Sequence, residues 1–174
     1  MIKLIIVSTK PDGGKGGGIP SALVGYMDGL DEKKIPYEIV ASHQEDKNII
    51  TSWLFAFFKI IILSLKYRKS AVFWFHCGPW LSLIRKFTLA IPPLLCGAKT
   101  IAHIHSPTFS NYLKGNWLTK FLVKLALTPY KHIIVLTPWW QHLLKENGVY
   151  KSITVSPNPC NQRLCQIAQR SLDN

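Results

Sequence analysis

The chain has 174 residues, 48% hydrophobic, 17% charged and 11% aromatic, which fits one domain at about 150 residues per domain and is too apolar for a disordered polymer. The formal charge of +12 is concentrated: residues 59–151 hold 13 Lys and Arg against Glu146 alone, while residues 1–58 carry −1 and the remainder +1. Such a block suits an anionic surface, whether nucleic-acid phosphate, the inner membrane leaflet or a phosphorylated substrate; the plainer reading is a solvated basic face.

The opening Ile2 to Ser8 is a continuous apolar run, followed closely by Pro11-Asp12-Gly13-Gly14. It reads as a strand buried on both faces of a parallel sheet rather than as a signal peptide. A glycine loop follows (Gly13, Gly14, Gly16, Gly17, Gly18), then Ile19 to Leu30 at helical spacing. Tyr37 to Ala41 is predicted as a strand. Ile49 to Lys69 is predicted as a long apolar helix ending in Lys66, Arg68 and Lys69, marginal for a membrane span of about 20 residues and better suited to a buried or interfacial role.

The alternation continues with a strand at Ala71 to Phe75, a helix at Pro79 to Leu95 and a strand at Lys99 to Ile104. After it come a helix at Asn116 to Leu127, a strand at His132 to Leu136, a helix at Pro138 to Asn147 closed by Gly148, and a strand at Ser152 to Val155. Six strands and five helices in alternation predict a single Rossmann-like α/β domain, a doubly wound parallel sheet with helices on both faces. The domain spans 1–159, with 160–174 a tail or the start of an interdomain linker.

Ligands of such sheets bind at the carboxyl ends of the strands. The residues there are Ser8 and the glycine loop, Ser42-His43, His76-Cys77-Gly78, His105-Ser106-Pro107 and Thr137-Pro138. Histidine suits acid–base work or phosphate binding near neutral pH, although a lone histidine at a strand end is often satisfied by backbone. The glycine loop is a candidate phosphate cradle, but Lys15 precedes Gly16 where a Walker loop needs Ser or Thr. The dinucleotide pattern also fails, because Gly16-Gly17-Gly18-Ile19-Pro20-Ser21 ends in Ser and Ser42-His43 stands where a ribose-binding acid belongs.

The four cysteines are too few and too scattered for a disulfide scaffold. Cys160 and Cys165 lack a second pair for zinc, so no metal is expected. A reduced, cytoplasmic protein is the simplest reading. Neither an aromatic-basic RNA-binding sheet nor a helix-turn-helix pattern is present, so nucleic acid is not an expected partner.

The ordered set of the glycine loop leading into Ile19-Pro20-Ser21-Ala22-Leu23-Val24, Phe75-His76, His105-Ser106-Pro107, Ile134 to Trp140 and Ile153 to Pro159 resembles the N-terminal half of retaining GT-B glycosyltransferases of the group-1 or family-4 type. The resemblance covers residues 1 to about 161. It implies that Gly16, Gly17 and Gly18 lie beside the sugar-nucleotide phosphates, and that His105 occupies the position of an active-site histidine near the transferred sugar. His76, Ser106 and Thr137 become candidates for acceptor binding. No cofactor is implied; the donor substrate of the complete enzyme would be a UDP- or GDP-sugar.

The family's donor domain carries a Glu-x7-Glu motif after the Pro-Asn segment; here Cys160 to Asn174 follows, with no Glu. The expectation is therefore an acceptor-side half, inactive alone, from cell-surface polysaccharide or glycolipid synthesis. It would be a fragment, or one half of a split enzyme completed by a separate donor-domain subunit. The expected partners are an acceptor saccharide or lipid-linked saccharide and peripheral contact with an anionic membrane at its cytoplasmic face. The alternatives are a non-catalytic phospholigand-binding or regulatory module and a basic nucleic-acid-binding domain.

Overall fold

A computed structural model describes residues 2–10, 18–43 and 48–159. Gly16, Gly17, Cys160, Cys165 and the 160–174 segment lie outside the described residues. In chain order the elements are β1 (Lys3–Thr9), α1 (Gly18–Glu32), β2 (Tyr37–His43), α2 (Ile49–Tyr67) with a 3-10 turn at Arg68–Ser70, β3 (Ala71–Cys77), α3 (Trp80–Leu95) and β4 (Lys99–Ile104). Then follow α4 (Phe109–Lys114), α5 (Trp117–Leu127), β5 (His132–Val135), α6 (Pro138–Glu146) and β6 (Ser152–Val155).

All six strands pair in parallel, in the order β2-β1-β3-β4-β5-β6. The predicted α/β class and parallel sheet are thus what the chain forms. Near-continuous burial of Ile5, Ile6 and Val7 in β1 and of Phe73 to Cys77 in β3 explains why these strands read as unbroken apolar runs. One helix escapes the periodicity: α4 is six residues long and offers only Phe109 and Leu113 to the core, too few for a 3.6-residue pattern to register.

The strand order fixes which face each helix covers. The step from β1 to β2 runs one way along the sheet and the later steps run the other way, so right-handed crossovers place α1 opposite the remaining helices. Accordingly Leu23, Tyr26, Met27 and Leu30 of α1 pack on Ile6 and Trp74. The larger core lies on the other face, where residues of α2 to α6 meet Ile5, Val7, Phe73, Phe75 and Ile133.

α2 is turned unusually. Its buried residues are Ser52, Ala56, Ile60, Leu63 and Ser64, whereas Ile50, Phe55, Phe58, Ile62 and Leu65 are exposed. A surface helix ordinarily directs its large apolar side chains to the core; this one buries Ile60 and Leu63 beside Ser52, Ala56 and Ser64 and leaves much of its aromatic and aliphatic bulk outward.

Candidate functional site

β1 is the point where the winding reverses, with β2 on one side and β3 on the other, and open α/β sheets bind ligands in the crevice outside the carboxyl ends at such a point. A cleft of about 390 Å³ opens there. Its walls include the ends of the first four strands (Thr9, His43, Gly78, His105), the start of α1 (Gly18, Ile19, Pro20) and Asn158. Asn158 arrives on a strap that leaves β6, the edge strand, and crosses the carboxyl edge. Ser156 N–H donates to Val135 O at 2.8 Å, the Tyr26 hydroxyl of α1 donates to Pro157 O at 3.2 Å, and Pro159 lies so close to α1 that a Cβ on Gly25 would sit 2.8 Å from its Cγ.

Behind the cleft is a cluster of imidazoles set by strand register. His76 of β3 pairs with His103 of β4, and His105, two residues beyond His103, points to the same face because strand side chains alternate. His105 N–H donates to Cys77 O at 2.9 Å, prolonging the ladder. His76 Nδ1 and His105 Nε2 share a hydrogen bond of 3.0 Å, and the His103 and His105 ring centroids are 4.1 Å apart. Tyr26 and Trp74 close the other side, Tyr26 edge-on to His76 and His103 and Trp74 stacked on His103.

Burial decides the charge of these rings. Desolvation first, then the proximity of His105, His103 and Lys86, holds His76 well below the ordinary imidazole value; desolvation and His105 do the same to His103. His105 is pushed down to about 4 by burial, with the Asn158 side chain opposing and Lys86 adding to the shift. All three are neutral at pH 7. The unfolded imidazole protonates near pH 6.5 and folded His105 near 4, so the stabilisation is complete above the unfolded value and is lost as pH falls from about 6.5 towards 4. At about pH 5 the loss from His105 alone is expected to be on the order of 1–2 kcal/mol. Urea midpoints at about pH 7 and pH 5, for the native chain and His105→Asn, check this; an equal drop in both proteins contradicts it.

A second buried group lies behind the cleft wall. Lys86 of α3 is fully buried and donates to Ser82 Oγ at 3.1 Å, the same oxygen that accepts from Gly78 N–H at 3.2 Å. Desolvation lowers it to about 8, with Cys77 opposing and Arg85 adding to the shift. Burial raises Cys77 to about 11.

Of the predicted site residues, the structure brings Gly18, His105 and Ser106 into the cleft wall. Ser106 Oγ shares a 2.9 Å hydrogen bond with Thr108 Oγ1. A Cβ on Gly18 would meet nothing within 4 Å, so packing places no demand for glycine there. His76 is fully buried behind His105. Thr137 is the N-cap of α6, accepting from Trp140 N–H, and is not among the cleft residues. The sequence does not single out His103 or the crossing position of Asn158, and it offers Lys86 with Arg85 as cations for anionic headgroups; the structure corrects this for Lys86, which α3 turns into the core.

The basic block does not surround this cleft. Lys69, Lys99, Lys131 and Lys151 of the block, with Lys3 from outside it, stand at or just before the starts of β3, β4, β5, β6 and β1. In a parallel sheet all those starts share one edge, the edge opposite the cleft. Helix carboxyl ends converge on that edge, and cations there are favoured by the helix dipoles. Lys66 in the last turn of α2 and Lys145 in that of α6 fit the same pattern. Within the block, Lys59 pairs with Glu38 at 3.0 Å and Lys86 is internal. No protein-family model matches the chain, and no curated protein matches it significantly.

Proposed function

We propose that the domain is the acceptor-side half of a sugar-nucleotide-dependent glycosyltransferase that acts on a saccharide or lipid-linked saccharide at a membrane face. The observation that carries this reading is the character of the cleft. It lies at the sheet's switch point and is walled by imidazole, hydroxyl, carboxamide and apolar groups, with no lysine or arginine among its described lining residues. Neutral polar groups over an apolar floor suit a polyhydroxyl acceptor. A departing nucleotide diphosphate demands preorganised cations and amides, which the described walls of this cleft do not offer, so in this reading they serve the acceptor and the donor is held by a separate half. In this reading neutral His105 and Asn158 hydrogen-bond the acceptor's hydroxyls.

A lipid-linked acceptor is supported by the flank formed by α2 and α3. The outward stripe Phe55, Phe58, Ile62 and Leu65 borders an apolar groove of about 560 Å³ between the two helices, lined by Trp53, Phe57, Ile61, Ile91, Pro92 and Leu95 among others. Lys66, Arg68 and Lys69 follow at the end of α2, placing cations beside the apolar surface as an anionic leaflet requires.

The test uses the chain as it stands. Calorimetry with oligosaccharides and with vesicles bearing lipid-linked saccharide is expected to show binding that falls up to ~10-fold in Asn158→Ala, as loss of one hydrogen bond dictates. UDP- and GDP-sugars are expected to show no turnover. Robust turnover by the chain alone overturns the division into halves. Absence of saccharide binding, or salt-sensitive nucleic-acid binding in its place, overturns the acceptor assignment.

A further inference from the structure

We propose that His76, His103 and His105 form a binding site for one divalent first-row transition metal of the Zn2+ class, with an open coordination position facing the cleft. The proposal does not rest on the glycosyltransferase reading, and it departs from the sequence reading, which expected no metal. One ligating nitrogen from each ring can be chosen so that all three lie within 4.8 Å of one another. The arrangement comes from adjacent parallel strands, two ligands at i and i+2 on β4 and one at the paired position on β3, so the backbone holds all three on one face.

The geometry is close to what a metal needs. Two nitrogens at about 2.0–2.1 Å from zinc are about 3.3 Å apart in a tetrahedral site. His76 Nδ1 and His105 Nε2 stand at 3.0 Å, slightly inside that spacing. All the separations lie within 4.8 Å, so none has to close by more than roughly 1.5 Å to reach it, a change on the scale of imidazole ring rotation.

Within the donor set, the hydrogen bond between His76 Nδ1 and His105 Nε2 would give way to the metal. His76 Nε2 and both nitrogens of His103 are buried with no hydrogen-bond partner among the described residues. Buried polar atoms in native proteins are satisfied in more than about nine cases in ten, and an ion or water is a standard reason for an apparent exception. Imidazole nitrogen suits zinc, copper, nickel and iron, and three protein ligands with one open position is the arrangement of catalytic rather than structural zinc. His105 is the ring shared with the cleft wall, so the open position faces solvent on that side. Three neutral imidazoles leave a dication uncompensated, and the fourth ligand is therefore an anionic oxygen, hydroxide or phosphate, supplied from the cleft.

The experiment strips the full chain with a chelator and titrates it with Co2+ near neutral pH. The expected result is one Co2+ per chain, with the intense visible absorption of a four-coordinate site, displacement by Zn2+ and a metal-dependent rise in Tm. His103→Phe keeps an aromatic ring in the stack and is expected to lower Co2+ affinity at least ~100-fold with near-UV circular dichroism preserved. If that variant does not fold, His105→Phe at the cleft edge gives the same comparison. A double variant of two histidines outside the cluster, His132→Gln with His142→Gln, retains the signal. Absence of a spectral or thermal response at millimolar Co2+, or an unchanged response in the folded ring variant, overturns the proposal.

Discussion

Replacing Phe55, Phe58 and Ile62 together by serine is expected to weaken binding to anionic vesicles by at least about 100-fold while leaving the domain folded. The three side chains are 79%, 61% and 64% exposed, so the substitutions remove little from the core, and the helix-propensity cost is a few tenths of a kcal/mol per position. Full burial of one such side chain contributes about 1.5–3 kcal/mol. Even partial insertion of three gives about 3 kcal/mol, which is two decades in affinity. The cations beside the stripe, Lys66, Arg68, Lys69 and Arg85, add about 1 kcal/mol each near an anionic surface and are screened by salt. Vesicle sedimentation with and without anionic lipid, at low and high salt, separates the contributions. Undiminished binding of the triple variant removes this flank as the contact surface. Equal, salt-insensitive binding to neutral and anionic vesicles removes the electrostatic part.

α2 also shows where one-dimensional reading loses information. Ile49–Ser70 is long and apolar enough to cross a membrane by composition and length alone, yet the helix lies on the sheet through Ser52, Ala56, Ile60, Leu63 and Ser64. Hydropathy averages over the circumference, and which of its apolar residues face the sheet and which face outward emerges only once the neighbours of each residue are known. The basic block behaves similarly. Counted along the chain it is one feature; in space its lysines divide among the strand starts, an ion pair with Glu38, and the interior at Lys86.

The sheet was legible because its strands are apolar runs and its helices, α4 apart, carry enough periodic residues to declare themselves. The imidazole cluster was half legible. His76 and His105 are recognisable at strand ends, and alternation along Lys99–Ile104 already places His103 on the face of His105; attention to strand ends alone passed it over. Its meeting with His76 depends on β3 and β4 being neighbours in a register that pairs residue 76 with residue 103, which no local pattern encodes. Asn158 belongs to a recognisable Pro-Asn-Pro segment, but its approach to His105 depends on a strap crossing from the far edge of the sheet. Lys86 could not be told from a surface lysine, because its burial follows from the face α3 turns towards β3 and β4.

Lys86→Met is expected to stabilise the domain at pH 7, opposite to the usual sign for a core substitution. Folded Lys86 titrates at about 8 against 10.5 for the ordinary side chain, so retaining its proton in the interior at neutral pH costs about 3 kcal/mol. A single hydrogen bond to Ser82 Oγ, among the described residues, offsets only part of that cost. Methionine keeps most of the stem's volume and adapts to irregular cores, so part of the packing survives. A gain of about 1–3 kcal/mol, or roughly 3–10 °C in Tm for a domain of this size, follows.

The pH dependence identifies the cause. A lysine with a depressed folded value contributes no stabilisation below it; between about 8 and 10.5 the folded state has released the proton and the unfolded state has not, so the native chain gains stability as pH rises. The difference between Lys86→Met and the native chain should therefore shrink over that interval. Cys77 and Tyr130, both raised by burial, act in the opposite direction but are present in both proteins and largely cancel in the comparison. A variant that is less stable at every pH would mean that Lys86 is held by interactions worth more than its desolvation. Removing this cation from beside His76 and His105, whose values it helps to lower, should also strengthen Co2+ binding in the titration above, because a like charge near the imidazoles opposes a dication.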